Sequence, residues 1–147
     1  MRLDTAVLAE SFDLVAPRGN QVVERFYERL FAAAPAVEPL FAGTDLKRQQ
    51  AHLLATLVLL RKSLDDLGPL LPKLRELGAR HVAYGAVAAH YPVVGTVLIA
   101  SMAELAGPAW RPQYTHAWSE AFEVVAGAML EGAAAATAGA GHKRARA

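Results

Sequence analysis

Three side chains with chemistry to offer stand where three helical stripes ask for an apolar residue. In GPLLPKLRELGARH the leucines Leu70, Leu74 and Leu77 recur at i, i+4 and i+7, and the next position on that face is His81. In the series Leu46, Gln49, Leu53, Leu57, Leu60 and Leu64 the polar member is Gln49. In Val22, Val23, Phe26, Tyr27, Leu30 and Phe31 it is Tyr27. Singly, each has an ordinary explanation: a core histidine bonded to a backbone carbonyl, a core tyrosine whose hydroxyl reaches a partner, a glutamine turned to solvent at a helix edge. Together they describe a site between helices that offers one imidazole nitrogen and two hydrogen-bond donors. Buried polar groups need partners, and helical proteins build cofactor sites in this way.

One imidazole does not make a zinc site, which takes three or four protein ligands. The sequence has no HExxH, no CxxC, no convergent carboxylate pair and no cysteine at all, so disulfides and thiolate-bound haem are excluded as well. A cofactor that brings four equatorial nitrogens of its own needs a single protein ligand, and haem is that cofactor.

The elements that must position these residues read as helix throughout, with no sustained alternation and no hairpin signal. The patterns predict helices over about Leu3–Val15 and Asn20–Ala34, a short turn in PAVEPLF ending near Phe41, and a helix from Asp45 to about Leu64. Gly68 and Pro69 open the segment that carries His81, and Gly85 and Pro92 mark a corner before a helix over about Tyr91–Leu105. A last helix covers about Pro112–Ala136, with Trp118, Phe122, Val125 and Met129 on one face.

The chain is 147 residues, 54% hydrophobic and 20% charged, enough for one domain with one core. A net charge of +1 argues against nucleic acid as the main partner. The basic run HKRARA follows an Ala/Gly-rich stretch and reads as a mobile, solvated tail. Acidic residues at the very start argue against a secretory signal. Val82–Ala103 contains no Asp, Glu, Lys or Arg, but Gly85, His90, Tyr91, Pro92 and Gly95 interrupt it, so a buried helix behind a corner is expected there rather than a membrane span. A soluble, cytoplasmic protein is the expectation.

Several stretches together resemble the globins, and within them the bacterial single-domain haemoglobins and the globin half of flavohaemoglobins. RFYERLF is similar to the second-helix motif with Tyr27 as the distal tyrosine. PAVEPLF resembles the motif that ends in the haem-stacking phenylalanine, here Phe41. QQAHLLATL resembles the distal helix, with Gln49 as the distal glutamine and Leu53 over the haem. ARHVAYGAVAAHYPVVG is the most specific match, with His81 as the proximal iron ligand and Tyr91 as its buttress. HAWSEAFEVVAGAM fits the last helix around Trp118.

The resemblance implies an all-α globin fold, a three-over-three helical sandwich around haem b. It covers roughly Leu3 to Gly132, which gives a globin domain at 1–137 and leaves 138–147 as a flexible basic tail. Leu57 and Val94 would join Phe41 and Leu53 in the pocket, and Arg80, His52 and His90 stand near the expected haem propionates. His116 and His142 have no pattern supporting a role. In similar proteins a glutamate on the last helix bonds the proximal tyrosine and histidine. That position here is Ala133, and Glu131, two residues away, lies about 200° around the helix.

The resemblance implies reversible dioxygen binding for storage or delivery, with carbon monoxide and nitric oxide as further ligands. The alternative is a nitric oxide dioxygenase, which would need a separate reductase partner because no flavin reductase follows the globin-like part of this sequence.

Overall fold

The computed structural model describes residues 3–146, with side chains described for 3–138. The expected basic tail at 138–147 therefore lies almost entirely outside the described side chains. Six α-helices follow in order: α1 (Thr5–Val15), α2 (Gly19–Ala33), α3 (Leu46–Lys62), α4 (Leu70–Ala83), α5 (His90–Ala106) and α6 (Pro112–Arg146). Short 3-10 turns at Ala16–Arg18, Pro35–Phe41 and Gly107–Ala109 join some of them, and no strand occurs among the described residues.

The helices form a three-over-three sandwich. α1 packs on α5 and α6 and touches α3. α3 packs on α2, α4 packs very closely on α6, and α5 lies against α2 and α6. Each start has a local cause. Asp4 caps α1 by accepting from the Val7 N–H at 3.2 Å, and Asp45 caps α3 by accepting from the N–H groups of Lys47 and Arg48 at 3.1 and 3.3 Å. Prolines at the starts of the 3-10 turns supply φ already suited to them.

The apolar stripes point where their spacing sends them. Leu8, Phe12 and Val15 of α1, Val22, Phe26 and Leu30 of α2, Leu57 and Leu60 of α3, and Trp118 and Met129 of α6 are buried in one cluster. Inside it, the Trp118 indole N–H donates to the Ser11 hydroxyl at 2.8 Å, which fixes α1 on α6 and satisfies two buried polar groups at once. Two segments, His90–Ala109 and Pro112–Ala138, are long and apolar enough to cross a membrane by length and composition. Here they supply Val97, Leu98, Met102, Ala121 and Met129 to the core.

α4 and α6 touch backbone to backbone. A Cβ on Gly78 would lie 1.9 Å from the Met129 carbonyl oxygen, and one on Gly132 would lie 1.8 Å from the Arg75 carbonyl oxygen. These two glycines let the helix that carries His81 lie directly on the last helix.

Candidate functional site

His81 sits in the last turn of α4, and that turn is held from two sides. The Ala86 N–H donates to the His81 carbonyl at 3.0 Å and the Gly85 N–H to the Val82 carbonyl at 3.1 Å, with Gly85 at φ +92°. This is a Schellman closure, and it needs a residue that tolerates a left-handed conformation. A Cβ there would also come within 3.0 Å of Leu40. The side chain is held too: imidazole Nδ1 lies 2.7 Å from the Leu77 carbonyl oxygen, one turn back. A carbonyl only accepts, so Nδ1 carries the proton and Nε2 keeps its lone pair for an electrophile. Leu77, which the stripe reads as one more core leucine, supplies the backbone group that sets the tautomer. The Tyr84 ring packs edge-on against the imidazole, centroids 5.7 Å apart.

Tyr27 is buried in α2, among Phe26, Phe31 and Phe41, with ring centroids at 4.9, 6.0 and 5.6 Å. Burial pushes its hydroxyl pKa up, and the nearby Gln49 amide pulls it partly back. The phenol is thus held in its neutral form, able to donate. Gln49 lies in the first turn of α3, half-buried. The interruptions of two separate stripes therefore meet, beside an aromatic wall in which Phe31 and Phe41 are 5.4 Å apart. Leu53 is half-buried and Leu57 buried on the same helix as Gln49. No hydrogen bond or ring contact among the described residues joins this group to His81 directly. α3 packs on α2, whereas α4 packs on α6.

Tyr91 and Val94 lie in the first turns of α5, Tyr91 buried and Val94 half-buried. Burial pushes the Tyr91 hydroxyl pKa up. Among the hydrogen bonds of the described residues the imidazole partner is Leu77, not Tyr91. Arg80 is exposed and its nearest carboxylate is Glu76, 3.9 Å away on its own helix. His90 caps the corner, its Nδ1 accepting from the Val87 N–H at 3.2 Å. His52 is exposed on α3, and His116 pairs with Glu120 on the surface of α6.

Ala133 is half-buried, whereas Glu131 is exposed and pairs with Arg75 at 3.0 Å. The carboxylate nearest in sequence to Ala133 is turned outward, as its angle on the helix requires. Among the described residues the imidazole of His81 has a backbone carbonyl, not a carboxylate, as its hydrogen-bond partner. The iron–histidine stretching frequency of the ferrous protein is thus expected in the range of oxygen-binding globins, and Glu131→Gln should leave it unchanged. A frequency in the peroxidase range would show an acid acting on His81.

The donor set fits haem. One imidazole has its Nε2 lone pair free, and no group of three or more His, Cys, Asp or Glu converges among the described residues. This suits a metal that arrives with most of its ligands.

Sequence reasoning did not find Gly78 and Gly132. The signal was a glycine inside an otherwise strong helical pattern, three residues before the histidine.

The family model described as Globin matches residues 24–129. A flavohaemoprotein of Bacillus thuringiensis is 32% identical over 126 residues, and one of Chromobacterium violaceum 37% identical over 114. The matches cover 84% and 76% of this chain but 31% and 28% of those proteins, so the chain spans less than a third of the curated relatives it matches. Among solved structures, an engineered carbene transferase of Rhodothermus marinus superposes with a TM-score of 0.82 at 24% identity, over 91% of this chain and 93% of its own. A bacterial globin from Campylobacter jejuni superposes with a TM-score of 0.75 at 21% identity, over 88% and 93%. The superpositions show the same fold.

Proposed function

We propose, because this chain belongs to the globin family, that it is a haem b protein that binds dioxygen reversibly, as a store or carrier in the cytoplasm. The pairing of buried Tyr27 with Gln49 carries this reading. Haem, when bound, would supply a ferrous iron able to bind a diatomic gas. His81 would hold the iron through Nε2, in the orientation its bond to Leu77 fixes. Phe41 and Leu53 would pack on the porphyrin, Leu57 and Val94 would keep its surroundings apolar, and Arg80 would pair with a propionate. Tyr27 and Gln49 would donate to a polar gas in the pocket. A hydrogen bond to a charged acceptor contributes about 1.5–3 kcal/mol, and each 1.4 kcal/mol is tenfold in a rate or equilibrium. Dioxygen, polarised by the iron, gains more from such donors than carbon monoxide does.

Tyr27→Phe keeps the ring and removes the donor. Dioxygen dissociation should accelerate by about ten- to a hundredfold, with carbon monoxide release changed much less, as flash photolysis or ligand replacement would read. Equal effects on both gases would mean that Tyr27 acts by bulk. No effect on either would leave it a core residue and sink the reading.

The Tyr27 and Gln49 side chains, close together beside the aromatic wall, would also suit a second activity, nitric oxide dioxygenation. Haem would supply the one electron needed to turn dioxygen and nitric oxide into nitrate, and a reductase would have to return it. Stopped-flow mixing of the oxygen-loaded protein with nitric oxide should then give nitrate stoichiometrically, and cellular extract should restore the ferrous form fast enough for many turnovers. A slow return would leave oxygen binding as the function.

A further inference from the structure

Between α5 and α6, on the molecule's outer side, runs a cleft of about 440 Å³. This is within the range of small-molecule sites. Its walls are apolar: Pro92, Gly95 and Ile99 on α5, Phe122, Ala126 and Leu130 on α6. Two glycines shape it in different ways. Gly95 is required by packing, since a Cβ there would lie 2.5 Å from the Phe122 ring. Gly127 is not. It stands inside a helix, where glycine costs about 1 kcal/mol relative to alanine, and a Cβ on it would meet nothing within 4 Å. No contact of the fold explains that glycine, but the open cleft does, because any larger side chain at 127 would project into it.

Thr96, Ser119 and Glu123 give the cleft its polar groups. Glu123 is exposed and makes no ion pair among the described residues, whereas Glu120, one turn away, is already held by His116. Tyr91 also lines the cleft. An apolar trough with one free carboxylate selects an apolar body with a positive head.

We propose that the α5–α6 cleft is a second ligand site, separate from the gas pocket, for a small organic cation: an alkyl or aryl ammonium whose hydrocarbon lies against Phe122, Ile99 and Leu130 and whose charge meets Glu123. The cleft has a small-molecule volume and sets one unpaired carboxylate beside apolar side chains, which favours such a ligand.

The probe is hexyltrimethylammonium, which has no lone pair and so cannot ligate iron, titrated into the haem-loaded protein by calorimetry. Saturable binding of one molecule per chain is expected. Gly127→Leu, which adds a good helix former into open space, should fold with an unaltered haem spectrum and weaken binding at least about tenfold. Glu123→Gln should weaken it about three- to fivefold, the scale of one partly exposed charge pair, and neutral hexanol should bind more weakly by a similar factor. Absence of saturable binding, or full binding in Gly127→Leu, would overturn the proposal. So would sedimentation showing a dimer that Gly127→Leu dissociates, since a second copy would then be what covers the cleft.

Discussion

Replacing Gly78 by valine should force α4 away from α6 and strip the protein of its haem. The atom that a side chain at 78 would meet is the Met129 carbonyl oxygen, 1.9 Å from an added Cβ, with the carbonyl carbon at 2.5 Å. These are main-chain atoms inside a helix, so no rotamer change relieves the clash and the two helices must separate. Overpacking at a site that cannot give costs about 3 kcal/mol or more, a large part of the roughly 5–15 kcal/mol that holds a domain folded. The consequence is local as well as global, because His81 stands one turn beyond Gly78 on the displaced helix. Urea unfolding should show the midpoint falling in both the haem-loaded and haem-free protein, and haem transfer to an acceptor apoprotein should quicken at least about tenfold. Gly78→Ala should show a smaller loss in the same direction. Gly127→Ala is the contrast: its Cβ meets nothing, so it should stabilise α6 by up to about 1 kcal/mol. An unchanged midpoint in Gly78→Val would show that the helices do not touch there.

Much of this arrangement is legible in the sequence because it follows from helical spacing. Apolar residues at i, i+3 and i+4 must share a face, so the polar residues on those faces stand out and can be asked what they serve. Tyr27 and Gln49 emerge in this way from two separate helices, and in the fold they meet. Asp45 is legible as a cap for the same kind of reason, a carboxylate just before a helical pattern. The outward turn of Glu131 follows from its angle on the helix, and Arg75 opposite it completes the picture.

What spacing does not carry is anything that depends on backbone meeting backbone. Gly78 and Gly132 are far apart in sequence, and each needs its glycine only because the other helix lies on it. Leu77 reads as a stripe leucine, and its part in orienting His81 belongs to its carbonyl, which every residue has. The α5–α6 cleft escapes the sequence similarly, since an empty volume between two helices leaves no residue pattern beyond a few small side chains.

His81→Gly should lose haem and regain it when imidazole is added. The substitution removes the Nε2 lone pair of His81 while leaving the Schellman closure, whose bonds are all main-chain, intact. It also empties the space that the ring fills beside Tyr84, so an imidazole from solution has room where the side chain stood. Tyr27, Gln49 and the aromatic wall around Phe41 are untouched, so the proposed gas pocket is otherwise the same. The measurement is a haem titration of wild type and His81→Gly followed by absorption in the Soret region, with and without millimolar imidazole. One haem b per chain in wild type, at least about a hundredfold weaker retention in the variant, and recovery of both affinity and spectrum with imidazole are the expected result. A variant that holds haem with the wild-type affinity and an unaltered spectrum, indifferent to imidazole, would contradict His81 as the axial ligand and with it the account of the site.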